Sequence, residues 1–367
     1  MKLSTTQENL SKALNIVCRV AGSKTTLPIL ANIMLKTVKN RLQISATNLE
    51  VAITQFIGGK IDSNGSITVP ARLMSDFVSS LPKDTINMEL EKNKLHIKTK
   101  QYQSTINGIA ADDFPSIPKL QNKNTIKIPI SDLKKALQQV IFTASNDDSR
   151  PVLTGVYFSS QNGRLFITAT DSYRLAEKQI IKIQENLSCI VPVSSLQHLL
   201  RILSEDIEEN EVNISYDQAQ ILFTLQDIEL VSRLIDGQYP DYQRLIPSKS
   251  DVNITLNRED FINITKVASL FAKESAGSIT ISVSEEDQEV SITSVASQVG
   301  ENISRAEAKI KGSGEVTLNS RYLLEALNAI NDDKVTFRFS GKISPCVLTP
   351  ADSKNSDYLH IIMPLKS

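Results

Sequence analysis

The segment ITVPARLMSDFVSSL, starting at Ile67, has two counterparts further along the chain: CIVPVSSLQHLLRIL from Cys189 and VTLNSRYLLEALNAI from Val316. Each reads as a short β-branched strand running into an amphipathic helix. The apolar positions superimpose: Met74, Phe77, Val78 and Leu81; Leu196, Leu199, Leu200 and Leu203; Leu323, Ala326, Leu327 and Ile330. That is i, i+3, i+4, i+7 spacing, one helical face in each copy. A second helical pattern precedes each segment, over residues 6–20 (Leu10, Leu14, Val17), 131–145 (Leu133, Leu137, Val140, Ala144) and 258–273 (Phe261, Ile264, Ala268, Phe271), with Ser131-Asp132 suited to a helix start. Between the helices lie alternating strands. RLQISATNLEVAI (41–53) is echoed by RLFITATDSYRLA (164–176), and ITISVSEEDQEVSITSV (279–295) reads as a strand pair about an acidic turn. Related tails close the copies: DDFPSIP (112–118), QYPDYQRLIP (238–247) and HIIMPLKS (360–367).

A self-similarity of about 120 residues is too long for a solenoid of helical pairs. It predicts three similar α+β domains, 1–122, 123–249 and 250–367, with Pro, Asn, Lys and Ser clustering at the joints. Alternation of polar and apolar residues favours antiparallel sheets with one wet face, so each domain is expected to pack two helices on such sheets. The chain of 367 residues, 41% hydrophobic and 22% charged, has enough apolar material for several cores. No apolar run reaches the length of a membrane span, and MKLSTTQENL lacks the apolar centre of a signal peptide. Cys18, Cys189 and Cys346 are an odd, widely spaced set, expected to be reduced thiols of a cytoplasmic protein.

Forty Lys and Arg against forty-one Asp and Glu give a formal charge of −1, unlike the basic domains that usually bind nucleic acid. The local field is what a phosphate backbone feels, however. Opposite the apolar stripes stand Lys12 and Arg19; Lys134 and Lys135; Lys266 and Lys273; Arg72; His198 with Arg201; and Arg321. On any one helix this reads as an ordinary solvated face. All six helices carry a base, while the acids gather elsewhere, at 205–211, 285–287 and 332–333. Segregation of that kind suits a neutral protein with a basic inner surface, to which Lys12, Arg201 and Lys266 would contribute.

Catalytic signatures are not found. His96, His198 and His360 have no ligand spacing to one another or to Cys, so no metal is expected. Asp112-Asp113 precedes Phe-Pro and reads as a turn. There is no phosphate-cradling glycine loop and no His-paired nucleophile, so neither enzymatic activity nor a cofactor is expected.

The stretches GSKTTLPILANI, SATNLEVAI, TVPARLM and AADDFPSIP, then SRPVLTGVYF, ATDSYRLA and DGQYPDYQRLIP, then NSRYLLEALNAI, SGKISPCVL and IIMPLKS resemble, in order, the three domains of the bacterial DNA polymerase III β subunits. The resemblance implies a head-to-tail homodimer closing into a six-domain ring around duplex DNA. Such a ring would be a processivity factor that ignores base sequence and tethers the replicative polymerase. It implies DNA contacts at Lys24, Arg72 and Arg150; Pro151 and Val152 stand where some members carry aromatic residues. It implies chain-to-chain strand edges around Ser104 and Ile106, and around Leu270 with Phe271. It also implies a peptide pocket for the polymerase α subunit, the clamp loader and repair proteins. That pocket maps to Leu153, Thr170, Ser172, Tyr173, Arg174, Leu175, Pro240, Arg244, Leu245, Asn319, Tyr322, Ser344, Ile361, Met363, Pro364 and Leu365. An apolar cleft with Met and Pro suits varied peptides, and the two arginines could meet carboxylates or carbonyls. On the residues alone, the terminal MPLKS reads as a frayed tail. The alternative is a clamp-like paralogue that recruits peptides without being the replicative ring.

Overall fold

The computed structural model describes residues 1–22, 27–118, 120, 124–205, 208–296, 300–352 and 357–365. All six expected helices are present: α1 (Gln7–Val17), α2 (Ala71–Ser80), α3 (Ile130–Val140), α4 (Val193–Ile202), α5 (Arg258–Phe271) and α6 (Ser320–Ala329). Three of their starts are written in the sequence, whereas α2 starts after Pro70 without a side-chain cap and α3 begins at Ile130, ahead of the expected Ser131-Asp132. Thr6 accepts a hydrogen bond from the Asn9 amide, Asn257 from Glu259 and Asp260, and Asn319 from Arg321 and Tyr322. Each cap satisfies an amide that the helix itself cannot pair. Glu259 and Asp260 also place negative charge at the positive end of α5.

The chain forms two compact units, Met1–Lys134 with Ser194–Leu234, and Lys135–Val193 with Ile235–Ser367. Residues 123–249 contribute to both. The first unit holds a five-stranded sheet whose last strand is Gln103–Asn107, and an eight-stranded sheet running from Asn124–Pro129 to Ser66–Pro70. The second holds a nine-stranded sheet, Ser188–Pro192 to Lys309–Lys311, and a four-stranded sheet that ends on Gly300–Glu307. Every strand pair among the described residues is antiparallel. Alternation sends Ile281, Val283, Val290 and Ile292 to one side of the four-stranded sheet, where they are buried under α5. Leu10, Leu14 and Val17 of α1, Leu133 and Leu137 of α3, and Leu323 and Leu327 of α6 are fully buried, as their periodicity requires.

α5 departs from the expected stripe. Its buried residues are Phe261, Ile262, Thr265 and Ala268, while Ile264 and Phe271 are only half-buried. The rotation brings Ile262 inward and tolerates Thr265, whose hydroxyl is hidden by donating to the Phe261 carbonyl at 2.6 Å. α3 and α5 are also shorter than their patterns: each passes into a 3-10 turn, Ile141–Thr143 and Lys273–Ser275.

Candidate functional site

The hairpin turn Thr170–Arg174 organises the second unit. Asp171 Oδ1 accepts from the amides of Tyr173 (2.9 Å) and Arg174 (3.0 Å), while Thr170 Oγ1 accepts from Ser172 N and donates to Arg174 O. These bonds hold Ser172 at a φ of 77°, in the left-handed region. The Arg174 side chain, 6% exposed, is then fully engaged. Nε donates to Asp171 at 3.0 Å, Nη1 to Glu325 on α6, and Nη2 to the Phe142 carbonyl at 2.8 Å. Its guanidinium also lies over the Tyr322 ring at 4.5 Å and the Phe142 ring at 5.5 Å. Burial pushes the Glu325 carboxyl upward, but hydrogen bonds from Arg321 and Arg174 outweigh it and leave it below its ordinary value. Arg174 thus meets two carboxylates and a carbonyl, all of them the protein's own.

Beside this hub lies an apolar cluster of Leu153, Leu175, Ile190, Tyr239, Tyr242 and Ile361, with Met363 packed against it. Leu153, Leu175 and Ile361 are buried, so they form a floor. The C-terminal segment is tied down: the Met363 amide donates to Tyr173 O and the Leu365 amide to Thr317 O, both at 2.8 Å. Tyr173 is 63% exposed, and Pro240, Ser172, Arg244 and Leu245 are also exposed, giving a rim. Thr170 is buried in its turn bonds. Asn319 is occupied as the α6 cap and donates to Ala276 O, and Arg244 pairs with Asp241 at 2.7 Å. Tyr322, Ser344, Pro364 and Leu365 are half-buried. An adjoining polar cavity of about 470 Å³ is lined by Arg150, Asp147, Asp171, Tyr173, Arg174 and Tyr322, among others. The structure therefore brings together residues from 153 to 365 that no local pattern links. Tyr239, Tyr242, Phe142, Glu325 and the exposed Ile343 next to Ser344 are additions that sequence reasoning did not name.

The basic candidates are accounted for individually. Lys12, Arg72, Arg150, Arg201 and Lys266 are exposed, and Lys24 lies outside the described residues. Arg72 has only a loose contact with Asp76 at 3.8 Å, and Arg150 donates to Ser172 Oγ at 3.1 Å. Exposed pairs of that kind contribute little stability and leave the charge available to an incoming anion. Segregation of acids is incomplete, because Arg19 reaches Glu205 at 4.0 Å.

Ser104 and Ile106 lie on Gln103–Asn107, which is paired on one side only among the described residues. Leu270 and Phe271 do not lie on a strand edge: they end α5, with Leu270 62% exposed. One edge of the four-stranded sheet is Gly300–Glu307, which α5 packs against. The alternation of 279–295 revealed the hairpin but not the third strand beyond it.

Burial pushes all three thiols up to about 12, so they are poor nucleophiles at neutral pH. His96 contacts Thr105 and Glu91, and burial lowers His198. His360 is fully buried and lowered to about 3, first by burial and then by the Arg174 charge. Among the described residues no cluster of His, Cys, Asp or Glu could hold a metal ion, and no helix is long and apolar enough to cross a membrane.

Comparison with known proteins agrees along the whole chain. Residues 1–118, 127–241 and 243–366 match the family profiles of the DNA polymerase III beta subunit N-terminal, central and C-terminal domains. The beta sliding clamp of Synechococcus elongatus is 31% identical, covering 100% of this chain and 99% of that one. That of Bacillus subtilis is 30% identical with both chains fully covered. Among solved structures, the Bacillus subtilis DNA polymerase sliding clamp superposes with a TM-score of 0.95 at 27% identity, over 100% of this chain and 99% of that one. The Pseudomonas aeruginosa sliding clamp bound to griselimycin gives 0.94 at 28%, with both chains fully covered. With three domain profiles matched in order and relatives aligned from end to end, the chain belongs to the bacterial DNA polymerase III beta subunit family, the beta sliding clamps.

Proposed function

We propose that two copies of this chain close head to tail into a ring of six domains, 1–122, 123–249 and 250–367 from each, which encircles duplex DNA and slides along it. The carrying observation is the match of three clamp-domain profiles, in order, over nearly the whole chain. Half-paired edges support closure: Gln103–Asn107, with Ser104 and Ile106, on one copy and Gly300–Glu307, packed against the helix that ends at Leu270 and Phe271, on the other. An open strand edge exposes unpaired amides and carbonyls, and pairing it with another chain satisfies them. Exposed Lys12, Arg72, Arg150, Arg201 and Lys266, together with Lys24, would meet phosphates through weak, exchangeable contacts that leave base sequence unread.

In this reading the protein is a non-catalytic, cytoplasmic subunit. The apolar floor and exposed rim in the second unit take short peptides of the polymerase α subunit, the clamp loader and repair proteins. Arg174 shapes that site from beneath, and Arg244 is the arginine open to a partner. The decisive experiment loads the protein onto nicked circular DNA and then linearises it. Retention on the circle and loss through free ends is the expected result. Persistence on linear DNA without end blocks contradicts a topological ring.

A further inference from the structure

The wall of the pocket includes the 3-10 turn Tyr242–Leu245, which carries Arg244 and Leu245. Two side chains key it to the nine-stranded sheet. Tyr239 stacks on Tyr157 with ring centroids 4.9 Å apart and meets Tyr242 edge to face at 6.5 Å. Tyr242, itself buried, uses all of its hydroxyl. It donates to Glu177 Oε2 at 2.6 Å and accepts from Thr168 Oγ1 at 3.0 Å and Gln161 Nε2 at 3.2 Å. Gln243 donates in turn to Gln161.

Glu177 is the unusual member. Register places it between Thr168 and Leu359, two residues along the strand from Leu175 of the pocket floor. No ion pair of the described residues includes it, and burial raises its pKa. A carboxylate partly withdrawn from water without a cation carries a desolvation cost that an apolar residue there would avoid. What the carboxylate supplies is a charged acceptor for Tyr242, and bonds of that kind are among the stronger, more directional ones.

We infer that Glu177 and Tyr242 form a latch that fixes the pocket wall, so that both are positioning residues for whatever the pocket holds. The inference rests on the pocket reading above, and two measurements keep them apart. Amide exchange at residues 243–246, where Ile246 N donates to Gln243 O, reads the wall without any ligand. It is expected to speed up in Tyr242→Phe and Glu177→Leu and to speed up less in Glu177→Gln, which keeps an acceptor oxygen but not its charge. Griselimycin, the compound carried by the Pseudomonas aeruginosa clamp, is the binding probe, its seat in this pocket being part of the pocket reading. Its affinity should fall roughly tenfold in the first two variants and by about threefold in Glu177→Gln. Unchanged exchange in Tyr242→Phe overturns the latch. Faster exchange with unchanged affinity overturns its role in positioning. Failure of griselimycin to bind the unaltered protein counts against the pocket reading, and the exchange rates then still decide the latch.

Discussion

Two hairpin turns, Thr47–Val51 in the first unit and Thr170–Arg174 in the second, are built from the same hydrogen bonds. Thr47 Oγ1 accepts from Leu49 N and donates to Val51 O, and Asn48 Oδ1 accepts from the amides of Glu50 and Val51. Leu49 has a φ of 77°, the value found at Ser172. Even the next strand repeats the pattern: Arg233 N donates to Glu50 O at 2.9 Å as Met363 N donates to Tyr173 O at 2.8 Å. The residues that close the two turns differ in kind. Val51 is simply buried, whereas Arg174 fills its place with a charge held by two carboxylates, a carbonyl and two rings. Opposite Ile53 stands Leu230, and opposite Ala176 stands His360. One backbone solution thus closes an ordinary core in one unit and supports a polar hub beside an open pocket in the other.

The largest break in this comparison is Arg174→Ala. Removing the shared cation leaves Asp171 partly buried without a partner and Glu325 with Arg321 alone, a cost of about 3 kcal/mol after allowing for the exposure of Glu325. Val51→Ala should cost about 1 to 2 kcal/mol, a cavity without a charge defect. Urea unfolding followed by amide exchange in each turn checks both. Equal losses at the two sites would mean that the hub is no more than packing.

A difference of similar size depends on pH. His360 is lowered from 6.5 to about 3 in the folded chain, while the unfolded chain keeps the ordinary value. Below pH 6.5 the unfolded chain therefore binds a proton that the native state refuses, and stability is lost as pH falls through the window from 6.5 to about 3. The contribution is on the order of 3 kcal/mol between pH ~7 and ~4. His360→Leu, which copies Leu230, should flatten that part of the stability curve. An unchanged slope would place the acid sensitivity elsewhere.

The repeat, the six helices and the echo of the two hairpins were legible because they depend on local periodicity and turn chemistry. The Thr-Asx pair at 47–48 and at 170–171 contains its own hydrogen-bonding instructions. The roles of the arginines were not legible. Arg174 and Arg244 are equally plausible contacts on paper, yet one is saturated by Glu325, 151 residues away in sequence, and the other is exposed beside Asp241. Glu325 itself reads as a solvated helix residue, since nothing in a 3.6-residue period announces a partner from another segment. The rotated face of α5 and the edge strand Gly300–Glu307 were missed likewise, because tertiary packing selects among faces of similar hydrophobicity.

Asp171→Asn sharpens the comparison by installing the residue of the other turn. Asn48 shows that an amide oxygen holds the backbone, so the hairpin should survive. Only the charged acceptor of Arg174 Nε is lost, costing about 1.5 kcal/mol. Asn48→Asp, with no buried cation to meet, should stay within about 0.5 kcal/mol. Thermal melts of the two variants side by side test this asymmetry; matching shifts would show that Asp171 acts through its turn alone.

The smallest effect should be the same in both turns. Leu49 and Ser172 sit in the left-handed region, which costs a residue with a side chain roughly 1 to 2 kcal/mol relative to glycine. Glycine in turn loses about 0.5 to 1 kcal/mol more backbone entropy on folding. Both side chains are exposed, so little packing is given up. Leu49→Gly and Ser172→Gly should each stabilise by about 0.5 kcal/mol, read as slower amide exchange in the altered turn. Opposite signs would show that the shared φ is sustained differently in the two units, by the hub in one and by the turn itself in the other.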